Sequence, residues 1–77
     1  MRRLDYNREI IGKLSELIES QPDSRFGQIL FNYVLKYHQP ELGQIHIDDP
    51  FYEEPEITLK RINEKMLKYG KQTKNNY

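Results

Sequence analysis

The chain has no cysteine, which excludes disulfide staples and any zinc site built on thiolates, and fits a reducing cytoplasm. It also has no net charge, since twelve Lys and Arg balance twelve Asp and Glu. The broad positive field of a nucleic-acid binder is therefore missing. Arg2 and Arg3 are not followed by the apolar run of a signal peptide, and no stretch approaches the ~20 apolar residues of a membrane span. Nor is there a glycine-rich phosphate loop, or a serine or threonine with a base and an orienting acid at motif spacing. Internal repeats and low-complexity tracts are lacking too. These absences describe a cytoplasmic, non-enzymatic protein without cofactor, metal or membrane partner.

What is present is a single short domain. At 77 residues it buries only roughly 60% of its unfolded surface, so its stability margin is thin. Charge is unevenly spread. Asp48, Asp49, Glu53, Glu54 and Glu56 fall in residues 44–58 with no Lys or Arg, whereas Lys60, Arg61, Lys65, Lys68, Lys71 and Lys74 face Glu64 alone in 59–77. Acid before base along one segment matches the dipole of a helix. It also supplies a basic end that would suit an anionic partner.

The densest apolar stretch runs from Pro22 to Tyr37 and reads as a central helix, capped by Asp23 or Ser24 and ending near His38 before Pro40. Phe26, Leu30, Tyr33, Val34 and Tyr37 recur at steps of three and four, and Ile29, Phe31 and Leu35 widen that face. A first helix is predicted over 7–20, with Ile10, Ile11, Leu14, Leu17 and Ile18 as its stripe. A third is predicted over 55–69, with Leu59, Ile62, Met66 and Tyr69 buried, joined by Ile57 near its start, and Gly70 as its stop. Glu9–Lys13, Glu56–Lys60 and Glu64–Lys68 are correctly ordered for helix ion pairs. Residues 71–77 lack apolar periodicity and read as an unstructured tail. In the long connection, Gly43 allows a turn and residues 44–47 alternate enough for a short extended piece. Asp49 before Pro50 is a good cap for one helical turn over 50–53. The expectation is an all-α domain over 1–70: three helices and one extra turn.

Two local patterns, Pro22-Asp23-Ser24-Arg25-Phe26-Gly27-Gln28 and Asp49-Pro50-Phe51-Tyr52-Glu53, precede an Ile57-x-Leu59-x-x-Ile62 run. Together they resemble small uncharacterised proteins of bacteria and their phages or mobile elements. In those, a helix opening in Arg-Phe-Gly-Gln is followed by an Asp-Pro-Phe-Tyr turn and a last helix. The resemblance covers about residues 8 to 68 and implies no catalytic residue. What it implies is structural: each pattern sets an aromatic beside a backbone-defining residue.

Two candidate surfaces follow. Arg25, Phe26, Gly27 and Gln28 form one motif with Asp49, Pro50, Phe51 and Tyr52. Gly27 leaves a gap that Phe51 or Tyr52 would fill, and Arg25, unfavourable at a helix start, would pair with an acid of residues 48–54. Were the turn not anchored there, the two motifs would read as an exposed binding surface. The other candidate is a nucleic-acid face made by Lys60, Arg61, Lys65, Lys68 and Lys71, although the long gap before helix 3 is not that of a helix-turn-helix. His38, His46, Asp48 and Asp49 are the only conceivable metal ligands and read as solvated loop and cap residues. Six tyrosines suit half-buried and interface positions alike. The leading expectation is a small interaction or regulatory accessory module that binds another protein or a second copy of itself. Nucleic-acid binding is the alternative.

Overall fold

The computed structural model describes residues 2–75, excepting the side chains of 70–75. The chain forms α1 (Arg3–Ser20), α2 (Phe26–Ile29) running into a π-helical turn (Leu30–Val34), β1 (Tyr37–His38), β2 (His46–Ile47), a 3-10 turn (Pro50–Tyr52) and α3 (Pro55–Asn75). A fold expected to be all-α is thus mainly helical, with a two-residue antiparallel hairpin that pairs Tyr37 with Ile47 and His38 with His46.

Helix α1 starts four residues earlier than the apolar stripe implies, because Asp5 Oδ2 accepts the Arg2 N–H at 3.2 Å and steadies the first turn. It stops where Pro22 keeps Gln21 out of helical geometry (φ −133°, ψ 65°). The link to α2 is tied by Gln21, whose amide donates to Tyr33 Oη at 2.8 Å while its Oε1 accepts the Ser24 hydroxyl at 3.2 Å. Ser24 therefore does not cap α2. That cap is Arg25, whose backbone N–H donates to Gln28 Oε1 at 2.9 Å.

The central helix ends at Val34, short of the stop expected near His38. Its last turn widens: the Leu35 N–H reaches the Leu30 carbonyl at 2.9 Å, and Leu35 itself is extended (φ −83°, ψ 142°). The chain then enters β1. Phe31 stacks on Tyr37 at 4.6 Å across this break, and the Asp48 N–H to Lys36 carbonyl bond, 2.9 Å, extends the hairpin by one rung. Gly43 has φ 85°, a left-handed conformation that residues with a Cβ adopt at a cost.

The core is small and drawn from three elements. Leu17 of α1, Ile29 and Tyr33 of the central segment, and Leu59 and Ile62 of α3 are buried. Ile10, Leu14, Val34, Met66 and Tyr69 close around the cluster. Each fully buried Ile contributes about 1.5–3 kcal/mol. Tyr33 meets Tyr69 edge to face at 5.5 Å, and the Gln21 amide satisfies its hydroxyl, so this tyrosine is a core residue. Ile11 and Ile18, expected in the α1 stripe, are exposed, as are Phe26 and Ile57, expected in those of the central and third helices.

Helix α3 passes through Gly70 to Asn75, where a stop at Gly70 and a tail over 71–77 were expected. Glycine inside a helix costs only about 1 kcal/mol relative to Ala. Residues 76 and 77 lie outside the described ones. Among the described residues none of the three expected helix ion pairs closes. The pairs that form are Arg3–Glu54, His38–Asp48 and Arg61–Glu53. No helix of the described residues is long and apolar enough to cross a membrane.

Candidate interaction surface

The turn after the hairpin is built as its residues dictate. Asp49 caps it, its Oδ1 accepting the Phe51 N–H at 2.9 Å, Pro50 takes the first position, and the Glu53 N–H closes on the Pro50 carbonyl at 3.1 Å. This places Phe51 and Tyr52 edge to face, ring centroids 4.8 Å apart. Both point away from the core, Phe51 79% and Tyr52 87% exposed. Neither ring docks on α2. A Cβ built on Gly27 would meet nothing within 4 Å.

The turn is held from behind instead. Arg61 of α3 donates from Nη1 to both the Val34 carbonyl and Glu53 Oε1, each at 2.8 Å, and from Nη2 to Glu53 Oε2 at 2.5 Å. Thr58 Oγ1 donates to Glu53 Oε1 at 2.6 Å. The Arg61 and Glu53 side chains are 15% and 17% exposed, which makes this a half-sheltered, two-pronged pair. The Arg61 guanidinium holds the Glu53 carboxyl below its usual range, against the opposing effect of partial burial and with help from Thr58. On the other side Arg3 grips Glu54 through Nε at 2.8 Å and Nη2 at 2.6 Å, in solvent, and lowers that carboxyl as well.

The counter-charge expected for Arg25 is therefore taken. Glu53 belongs to Arg61, Glu54 to Arg3 and Asp48 to His38, and no described acid pairs with Arg25. Arg61, expected among the phosphate contacts, is an internal clamp. The signal for it was present: Thr58, Arg61 and Lys65, at steps of three and four, border the Leu59–Ile62–Met66 stripe.

Between the start of α1 and the clamped turn lies an open cleft of about 510 Å³, lined by Arg3, Asn7 and Ile10 on one side and by Phe51, Tyr52, Pro55 and Thr58 on the other. Its lining joins the two exposed rings to polar side chains of α1 and α3. Lys65 Nζ sits 5.8 Å from the Tyr37 ring and Lys68 Nζ 5.7 Å from the Tyr69 ring, Lys60 is exposed, and the Lys71 side chain lies outside the described ones. His38 Nδ1 meets Asp48 Oδ1 at 3.1 Å and its ring stacks on His46 at 5.4 Å. Among the described residues no group of three ligand side chains is arranged to hold a metal ion.

The chain matches no family model, no curated protein and no solved structure.

Proposed function

We propose that the protein is a small interaction module whose docking surface is the Phe51–Tyr52 turn and the cleft beside it. One observation carries this reading: two large aromatic side chains are exposed side by side on a turn that hydrogen bonds hold rigid from beneath. A floppy loop would lose entropy on binding, whereas a clamped one presents its rings already ordered. Aromatic side chains carry a large share of binding energy at protein interfaces. The partner is a polypeptide. It would cover both rings and reach into the cleft toward Asn7 and Thr58. As an accessory module of this kind the chain acts by binding and not by chemistry.

The test compares wild type with a Phe51→Ala, Tyr52→Ala double variant as bait in host extract, with nucleic acid digested in one arm. A partner captured stoichiometrically by wild type is then purified and titrated against both. The reading requires digestion-resistant binding that the double variant loses at least about tenfold, with unfolding unchanged. Equal affinity of wild type and variant would overturn it.

A further inference from the structure

Helix α1 carries a further apolar stripe that stays largely exposed among the described residues. Leu4, Ile11 and Ile18 are 56%, 65% and 44% exposed. They are spaced seven residues apart, so they drift only about 20° per step and form one straight stripe. The stripe extends over about 21 Å of helix. It adjoins, on the Leu14 side, the face of Leu17, Ile10 and Leu14 that meets the core. A small residue borders it: Ser15, one turn on from Ile11, is exposed. A second helix can therefore approach closely.

We infer that this stripe is where a second copy of the chain docks, α1 against α1, in antiparallel orientation. The stripe is symmetric about Ile11, so a two-fold axis there sets Ile11 on Ile11 and Leu4 on Ile18 of the partner. Such a contact is isologous and closes on itself. Charge selects the orientation. Arg8 and Glu19 flank the same side of the stripe at opposite ends, both exposed, and neither is in an ion pair among the described residues. An antiparallel copy places same-side flanks together and brings each Arg8 toward the other copy's Glu19. The axial offset of about 7 Å is within the combined reach of the two side chains. A parallel copy would set like ends side by side and leave these charges unmatched. The small core leaves Leu4, Ile11 and Ile18 largely exposed, and pairing would cover them.

Sedimentation equilibrium of the full chain tests this. Wild type is expected to be a concentration-dependent dimer. Ile11→Arg should raise the dimer dissociation constant at least about tenfold, with circular dichroism and thermal unfolding of the monomer unchanged because Ile11 is exposed. Arg8→Glu should weaken the dimer a few-fold, and Arg8→Glu combined with Glu19→Arg should restore it. A monomeric wild type, or a dimer indifferent to Ile11→Arg, would overturn the inference. A dimer that Arg8→Glu weakens and the double swap fails to restore would overturn the antiparallel arrangement. The Phe51→Ala, Tyr52→Ala variant should dimerise like wild type, which keeps this outcome separate from partner binding at the cleft.

Discussion

Arg61 reaches Glu53 and the Val34 carbonyl with one guanidinium. A single side chain of α3 thereby fixes both the end of the central helix and the turn that displays Phe51 and Tyr52. The Val34 carbonyl is available because the π-helical turn ends there and no backbone N–H beyond it continues the helix.

Removing that side chain leaves a half-sheltered carboxylate and a carbonyl without their donor. Arg61→Ala is expected to cost about 2–3 kcal/mol, in the range for a lost charge-assisted pair that retains some solvent. Arg3→Ala, which breaks the solvent-exposed pair with Glu54, should cost clearly less than Arg61→Ala. Urea unfolding of the two variants measures the difference, and equal losses would contradict the assignment of Arg61 as the clamp.

The same pair sets an acid limit. Glu53 has its carboxyl lowered in the folded state from an ordinary value of 4.5. It therefore contributes stability that is complete above that value and is lost as pH falls through the lower, folded one. Melting temperature should be flat from neutral pH down to about pH 5 and decline below it. Glu53→Gln should melt lower at neutral pH and decline less steeply in acid. Parallel curves for the two proteins would refute the linkage.

Phe51→Ala and Tyr52→Ala should each change stability by no more than about 0.5 kcal/mol, as substitutions at exposed positions do. Docking on α2 would have made the first of these a loss of several kcal/mol. Gly12→Ala, in the middle of α1 with open space at its Cβ, should stabilise by about 0.5–1 kcal/mol. Chemical denaturation reads all three. A large loss at Phe51 would mean that the turn packs inward.

Binding of duplex DNA or RNA should be weak at physiological salt and fall steeply between about 50 and 200 mM. Arg61 is engaged internally, and Lys65 and Lys68 lie against tyrosine rings. Fluorescence anisotropy over a salt series is the measurement. A sequence-preferring nanomolar complex would displace the interaction reading.

Much of the helical frame was legible, because the apolar periodicity around Leu17, Ile29, Tyr33, Leu59 and Ile62 is local and strong. The 3-10 turn was legible too, since Asp49 before Pro50 states its own cap. The end of the central helix was not. Val34, Leu35, Lys36 and Tyr37 continue a helical pattern, and the break comes from partners far along the chain: Ile47 across the hairpin and Arg61 under the last carbonyl. The clamp was hidden for a related reason. Arg25 needs a counter-charge at a helix start and Arg61 follows the acidic segment in sequence, and only the packing of α3 decides which of them Glu53 meets. Ile11 and Ile18 match the apolar period of α1 without being buried, because periodicity marks an apolar face and not what covers it.

The chain over residues 35–52 leaves the helical layer and returns to it at one guanidinium. Its two ends are therefore pinned whatever its contour length, and its tip, residues 39–45, is exposed throughout. Doubling a flexible loop costs only about 0.6 kcal/mol. Insertions and deletions at that tip are therefore nearly neutral for the helical layer. That makes it the place where a foreign peptide can be grafted while α1 and α3 keep their register.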